Sequence, residues 1–388
     1  MNFNESRRLQ TLEPYLFVQI DRRKRELLAA GKDVINLGVG DPDRPTHRFI
    51  IDEMAKAIYE PKNHRYPFDE GVPAFRQAAG AFMQRRFGVK VDPDRQLITT
   101  IGSKDGIAYL PLAVVNPGDL VLVPQPGYPV YVGGATFADG RVYIMPLLEK
   151  NGFLPDFDAI PQDIRRQVRL LWLNYPNNPT AATAPLSFYE KAVALAHQYG
   201  WIIASDLAYG EVYFEEAPHS ILEVPGAMDV AIEFHSLSKS FNMTGWRIGW
   251  ATGHPPVVAA LARVKGNVDS GQFNAIQAAG TVALEQYDHP EVKQQMRIYR
   301  DRRDILHAGL TARGWTFRKP TAGFFCWVPT PKGIPSMDLC ARLLEEAHVV
   351  TVPGAGFGPA GEGYLRMALT VDEQRIREAV ERIGRIRL

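Results

Sequence analysis

Cysteine is scarce in this chain: Cys326 and Cys340 are the only two in 388 residues, with no Cys-x-x-Cys and no Cys/His cluster at metal-ligand spacing. That excludes a disulfide-built scaffold and the common structural zinc patterns, and it favours a reducing compartment, hence a cytoplasmic protein. Net charge is nearly absent as well, since 44 Lys and Arg stand against 43 Asp and Glu, leaving +1. Nothing at whole-chain level therefore favours nucleic acid or an anionic membrane as partner. Long apolar runs are missing: none reaches the roughly 18 residues that a membrane-spanning helix needs. The pair Arg7-Arg8 is not followed by an apolar segment of signal-peptide length. Internal repeats and low-complexity tracts are also lacking.

What is present is an ordinary globular composition, 46% hydrophobic and 22% charged, in a chain long enough for one large domain and one smaller one. After a charged helix predicted over residues 16–30 and a short strand at 34–37, apolar β-like runs alternate with helical stretches. The runs fall at 97–101, 120–124, 142–145, 168–174, 201–205, 230–235 and 249–252. Several are apolar throughout, as strands covered on both faces are, so the pattern predicts βαβ units in a mostly parallel central sheet flanked by helices. Beyond a helix at 291–312 the pattern changes to strands at 316–320, 323–328, 349–352 and 363–369, with helices from Ser336 and Asp372. This reads as a smaller α+β domain. The expected division is 1–45 as an N-terminal arm and part of the small domain, 46–285 as the large domain, and 286–388 as the small C-terminal domain.

The chemistry concentrates after the run at 230–235. Ser236-Leu237-Ser238-Lys239 is followed eight residues later by Arg247, within Asn242-Met243-Thr244-Gly245-Trp246-Arg247. A lysine amine condenses with a carbonyl to a Schiff base, while hydroxyls and a guanidinium hold a phosphate dianion. Pyridoxal 5'-phosphate carries both groups. Other polar residues stand at neighbouring strand ends, where ligands of open α/β sheets bind. Asp206 closes the run at 201–205 and suits a pyridine nitrogen that must stay protonated. Tyr209 follows three residues later, Asn178 lies in the turn Asn174-Tyr175-Pro176-Asn177-Asn178-Pro179-Thr180, and Gly102-Ser103-Lys104 leads from a strand into a helix whose N-terminus suits a phosphate.

Each residue has a plainer reading. A lone lysine is usually a solvated surface group, and Asp206, Asn178 and Gly102-Ser103 all suit caps or turns. Their joint occurrence at successive strand ends favours a site. Gly38-Val39-Gly40 and Gly354-Ala355-Gly356-Phe357-Gly358 lack the Gly-x-Gly-x-x-Gly spacing of a dinucleotide loop and read as loop glycines, while His64 and His235 read as structural.

From about Tyr15 to its C-terminus the chain resembles the fold-type I pyridoxal-phosphate aminotransferases of the aspartate aminotransferase class. The likeness rests on Asn177-Asn178-Pro179-Thr180, Asp206 with Tyr209, Ser236-Leu237-Ser238-Lys239, Arg247, and Arg366 after Gly363-Tyr364-Leu365. It implies that Lys239 carries the Schiff base, with Asp206 and Tyr209 completing the catalytic set. Asp206 would pair with the pyridine nitrogen, Asn178 and Tyr209 would contact the ring oxygen, and Tyr128 would stack on the ring. Gly102, Ser103, Lys104, Ser236, Ser238 and Arg247 would surround the phosphate, and Arg366 would take the substrate carboxylate in a bidentate pair. Tyr66 and Asn274 would reach the cofactor from a partner subunit, which implies a homodimer with shared active sites.

Finer wording is similar to the LL-diaminopimelate aminotransferases: Tyr15-Leu16-Phe17, Leu37-Gly38-Val39-Gly40-Asp41-Pro42-Asp43, His64-Arg65-Tyr66-Pro67, Gly102-Ser103-Lys104-Asp105-Gly106-Ile107, Glu233-Phe234-His235 and Asn267-Val268-Asp269-Ser270-Gly271. By that likeness Tyr15, Gly40, Lys104, Tyr128, Asn178, Asn274 and Arg366 would contact an amino-acid substrate exchanged with a 2-oxo acid. Asp69 or Glu70 would be candidates for its remote ammonium, although an exposed acidic turn explains both equally well. The chain departs from the family at Ala181, where glycine is usual, at Tyr109 in place of a histidine, at Leu207 and Gly210, and in Gly323-Phe324-Phe325-Cys326-Trp327. An aminotransferase for aspartate, alanine or aromatic amino acids, or a lyase on the same fold, remains open, since fold does not fix reaction. A regulator's sensor module is disfavoured, because the enzyme-like region is expected to begin too near the start for a DNA-binding domain.

Overall fold

Seven strands pair into one sheet in the computed structural model, which describes residues 4–12, 17–67 and 70–387. A short β1 (Ile35–Asn36) precedes them. They are β2 (Leu97–Thr100), β3 (Leu120–Gln125), β4 (Arg141–Pro146), β5 (Val168–Asn174), β6 (Ile202–Asp206), β7 (Ala231–Ser236) and β8 (Gly249–Gly253), in the order β2-β8-β7-β6-β5-β3-β4. All pairings are parallel except those of β8, which runs antiparallel to β2 and β7. The expected mostly parallel α/β sheet is therefore found. Alternate residues of β5 feed two apolar layers: Leu171 and Leu173 pack with Phe82, Trp201 and Trp250, whereas Leu170 and Trp172 pack with Ile107, Tyr131 and Phe234. Both sheet faces are thus covered, which is why these strands are apolar without interruption.

Chain order reverses between β3 and β5, because β4 lies outside β3 whereas β6 and β7 continue on the far side of β5. A crevice opens beyond the carboxyl ends of strands at such a reversal. Asn174 and Asp206 close β5 and β6 there as register partners. On the other flank Ser236 pairs with Gly249, so the connection between β7 and β8 leaves and returns at one place, bringing Lys239 and Arg247 together.

A second core gathers the C-terminal part. Strands β9 (Phe325–Pro329), β11 (Val352–Pro353) and β12 (Tyr364–Ala368) form an antiparallel sheet, while β10 (Val349–Val350) pairs in parallel with β1. The apolar run at 349–353 thus changes partner at Thr351. Helices Pro290–Thr311, Ser336–Ala347 and Glu373–Ile383 bury Tyr299, Leu306, Leu343 and Ile376 against this core. The strand expected at 316–320 does not form. Pro320 lacks the N–H a ladder needs, and the carbonyls of this segment instead meet side chains, Phe317 that of His307 at 3.2 Å and Pro320 that of Arg303 at 2.9 Å.

Candidate active site

Two adjoining hollows lie at the carboxyl ends of the sheet. The larger, about 440 Å³, is lined by Ser103, Tyr128, Asn178, Asp206, Tyr209, Lys239 and Arg366, together with the loop 38–40. The smaller, about 380 Å³, is lined by Ser103, Lys104, Ser236, Ser238, Thr244, Gly245 and Arg247, and it shares Tyr128, Ala208 and Lys239 with the first. Lys239 stands where they meet. Its ammonium donates to the Gly40 carbonyl at 2.8 Å. Burial brings its pKa down to about 8, with Asp41 opposing that shift and Arg247 and Arg366 adding to it.

The smaller hollow is built for an anion. Arg247 takes the left-handed backbone conformation, φ 54°, and its guanidinium donates to the Thr244 carbonyl at 2.8 Å and to Ser238 Oγ at 3.4 Å. Facing it, Gly102 has φ +72° and no room for a side chain, because a Cβ there would lie 2.4 Å from the guanidinium. Gly102 also caps helix Ser103–Val114 without a side-chain hydrogen bond to the first turn, so the positive end of the helix points at the hollow. Hydroxyls, a guanidinium, an ammonium and a helix N-terminus form a donor set suited to a phosphate, opposed only by Asp41 among the lining residues.

The larger hollow has a buried carboxylate at its floor. Asp206 is 5% exposed and burial pushes its pKa up to about 6, against hydrogen bonds from Tyr131 and the Ala208 N–H. Asn174 Nδ2 donates to the Asp206 carbonyl at 2.8 Å and Asn174 Oδ1 accepts from the Asn178 N–H at 2.9 Å, locking the two strand ends together. Arg366, on β12, donates to Asn178 Oδ1 at 2.8 Å and to the Gly38 carbonyl at 2.8 Å, and its guanidinium lies 4.2 Å from the Phe325 ring centroid. Gly40 must be glycine here, since a Cβ would lie 2.6 Å from the Phe325 ring. The result is a guanidinium and a buried carboxylate flanking a masked amine.

Of the residues singled out from sequence, Gly40, Ser103, Tyr128, Asn178, Asp206, Tyr209, Lys239 and Arg366 line the larger hollow, and Lys104, Ser236, Ser238 and Arg247 line the smaller; Gly102 backs Arg247. Tyr66 and Asn274 do not line either. Tyr66 is 86% exposed, and Asn274 Nδ2 donates to the neighbouring Arg65 carbonyl at 3.4 Å. Glu70 is exposed and its carbonyl accepts from the Thr99 N–H. Tyr15 and Asp69 lie outside the described residues. Sequence reading missed Tyr131, which donates to Asp206, and Asp21, Lys24, Asn36, Thr351 and Phe325, which line the larger hollow. Asp21 and Lys24 pair with each other three residues apart on helix Phe17–Ala29. In sequence that spacing looks like any solvated helix face.

A family model for aminotransferases of class I and II matches residues 32–383. The chain belongs to this family. It is 52% identical to an LL-diaminopimelate aminotransferase of Syntrophobacter fumaroxidans and 51% identical to one of Aquifex aeolicus, each alignment covering 100% of both chains. Among solved structures, apo-BacF from Bacillus subtilis superposes with a TM-score of 0.95 at 37% identity, covering 99% of this chain and 98% of that one. A double mutant of Thermus thermophilus aspartate aminotransferase superposes with a TM-score of 0.92 at 31% identity, covering 99% and 100%. The fold is that of the type I transferases, and the protein is an aminotransferase acting on amino and 2-oxo acids. Among the described residues no group of His, Cys, Asp and Glu is placed to hold a metal, and no helix is long and apolar enough to cross a membrane.

Proposed function

We propose that this aminotransferase holds pyridoxal 5'-phosphate and exchanges amino groups between LL-2,6-diaminopimelate and 2-oxoglutarate, its keto product cyclising to tetrahydrodipicolinate on the way to lysine. The carrying observation for the chemistry is the buried Lys239 amine at the junction of an anion cup and a hollow floored by Asp206. The substrate is supported by the full-length relatives of that name. When bound, the cofactor supplies an aldehyde that takes the amino group and a ring that accepts the electrons left at the α-carbon.

In this reading Ser103, Ser236, Ser238 and Arg247 hold the phosphate, with Gly102 and Lys104 at its margin. Tyr128 covers the ring, Asp206 pairs with its nitrogen, and Asn178 and Tyr209 meet its oxygen. Arg366 binds the substrate α-carboxylate, and its bond to Asn178 sets the fork beside the ring site. With its amine freed by the incoming one, Lys239 would take a proton from the substrate α-carbon and deliver it to the former aldehyde carbon on the other side of the nitrogen, so one residue would be both anchor and general acid/base. Gly40, whose carbonyl it meets, borders the substrate. Tyr15, Lys104, Asn274 and either Asp69 or Glu70 are the candidates for the remote end.

The proposal includes a homodimer in which Tyr66 and Asn274 serve the partner's site; that neither lines a hollow of its own chain is in keeping with that. It also includes the division into 1–45, 46–285 and 286–388, supported by a second apolar core drawn mainly from residues 299–383 with Ile35 and Leu37, and a cytoplasmic site of action, in keeping with two buried free cysteines. A panel of amino donors with 2-oxoglutarate tests the substrate. LL-diaminopimelate is expected to surpass aspartate, alanine and aromatic amino acids; turnover of another donor without turnover of diaminopimelate overturns the narrow reading. Release of ammonia and pyruvate from a single amino acid overturns transamination in favour of a lyase.

A further inference from the structure

Tyr131 lies behind the larger hollow, near the start of helix Val130–Phe137, and is fully buried. Its hydroxyl donates to Asp206 Oδ2 at 2.7 Å, while Asp206 Oδ1 accepts the Ala208 N–H at 3.2 Å. The Tyr131 ring lies flat on Trp172, with centroids 4.8 Å apart and planes 17° apart, and meets Tyr128 edge to face at 5.8 Å. One rigidly stacked phenol therefore touches both the carboxylate at the floor of the hollow and the aromatic residue lining its wall.

We propose that Tyr131 is a positioning residue that keeps Asp206 an ionised, correctly aimed carboxylate, so that the cofactor's ring nitrogen retains its proton. The inference rests on reading the hollow as a pyridoxal phosphate site. In surroundings this dry, a carboxylate facing a protonated ring nitrogen can instead take the proton and leave two neutral groups. A hydroxyl donor opposes that transfer, because its hydrogen bond to a carboxylate is stronger than its bond to the neutral acid. Burial drives the Tyr131 phenol well above its ordinary range, so it stays a donor throughout the working range of pH. Glu233 and His235 act on Asp206 only through space, with opposite signs, whereas Tyr131 is in contact. Phenylalanine at this position would keep the stack on Trp172 and lose only the donor.

The test compares apoprotein affinities for pyridoxal phosphate and for its 1-deaza analogue, which has the aldehyde and phosphate but no ring nitrogen. In Tyr131→Phe the affinity for pyridoxal phosphate is expected to fall about tenfold or more, with the affinity for the analogue unchanged; kcat of the reconstituted holoenzyme falls in parallel. Equal losses for both ligands would make Tyr131 merely structural, and no loss for either would make it irrelevant; both results overturn the proposal. Tyr131→His, which restores a ring donor, is expected to regain a preference for the natural cofactor. A histidine variant indifferent to the ring nitrogen overturns the proposal too, and this variant alone decides the matter if the phenylalanine variant does not fold. A wild-type protein that binds neither ligand removes the cofactor reading itself, a result distinct from any of these.

Discussion

The Lys239 ammonium is held by the Gly40 carbonyl at 2.8 Å, a contact between residues 199 positions apart in sequence. It ties the connection between β7 and β8 to the loop that also supplies the Gly38 carbonyl to Arg366. The amine and the guanidinium are thereby oriented by carbonyls two residues apart, and anything that shifts this loop moves both.

Covalent capture of an aldehyde by Lys239 should follow its lowered pKa. Only the neutral amine attacks, and burial brings the amine down to about 8 from 10.5. The second-order rate of pyridoxal phosphate capture by apoprotein is expected to rise about tenfold per pH unit up to that value and then level off. Stopped-flow absorbance measures it. A rate still climbing at pH 10 would mean an amine no more acidic than an exposed lysine. Lys239→Ala should abolish both the capture and nearly all transamination.

The loop has its own anchor. Asp43 accepts two hydrogen bonds from Arg302, at 2.7 and 2.8 Å, and the same guanidinium donates to the Leu369 carbonyl at 3.1 Å. Asp43→Asn would leave the Arg302 guanidinium, which is almost fully buried, without its charge partner, and stripping a buried charge of its partner costs about 3 kcal/mol. Urea unfolding should show that loss. Released from its anchor, the loop should also raise KM for the amino donor more than it lowers kcat, because the Gly38 and Gly40 carbonyls orient Arg366 and Lys239, the groups proposed to meet substrate. Asp43→Asn combined with Arg302→Met should recover part of the stability, since no uncompensated charge then remains.

Much of this site was legible because strand ends and turns leave marks in sequence. Asp206 and Asn174 close apolar runs, and Ser236 to Lys239 follow one, so each sits where an open α/β sheet holds ligands. The departure at Ala181 also has a physical meaning: its φ is 57°, the left-handed region where glycine is free and an L side chain is strained by about 1–2 kcal/mol. Tyr131 was not legible, because an aromatic residue at the start of an apolar helix looks like any core residue. Its hydroxyl gains meaning only once β6 is seen beside that helix. The strand expected at 316–320 was a misreading of a different kind, since Phe317 enters the small core without its segment joining a sheet.

Glu233 and His235 belong to the wording that pointed to the family, yet they form a buried framework beside the site. Glu233 is fully buried and accepts from Ser220 Oγ at 2.6 Å, the Ile221 N–H at 3.0 Å and Ser205 Oγ at 3.1 Å, with His235 Nε2 at 3.0 Å. The His235 ring lies flat on Trp250 at 4.5 Å. Glu233→Leu would orphan these groups and is expected to cost about 3 kcal/mol or more. Since Glu233 does not line either hollow, KM in the folded fraction should stay near wild type. Calorimetry and steady-state kinetics on one preparation separate the two effects, and a raised KM with unchanged stability would place Glu233 in the site instead.

The raised pKa of Asp206 makes the fold and the function pull in opposite directions, and pH reveals it. In the apoprotein burial lifts this group to about 6 from its ordinary 3.8. The folded chain therefore binds more protons than the unfolded chain between these values, and stability falls as pH rises through them. A gap of about two units corresponds to about 3 kcal/mol. Above pH 6 the fold holds an ionised carboxylate that it would prefer to protonate. Asp206→Asn removes the titration without changing the size of the side chain, so its stability relative to wild-type apoprotein should improve by about 2 kcal/mol between pH 4 and pH 7. Denaturant unfolding of both apoproteins at the two pH values gives the difference directly; a constant difference would mean that Asp206 titrates alike in the folded and unfolded chain. The same substitution should impair catalysis at pH 7, because an amide cannot hold a ring nitrogen protonated. A variant more stable but less active at neutral pH is the expected mark of a carboxylate kept buried for chemistry.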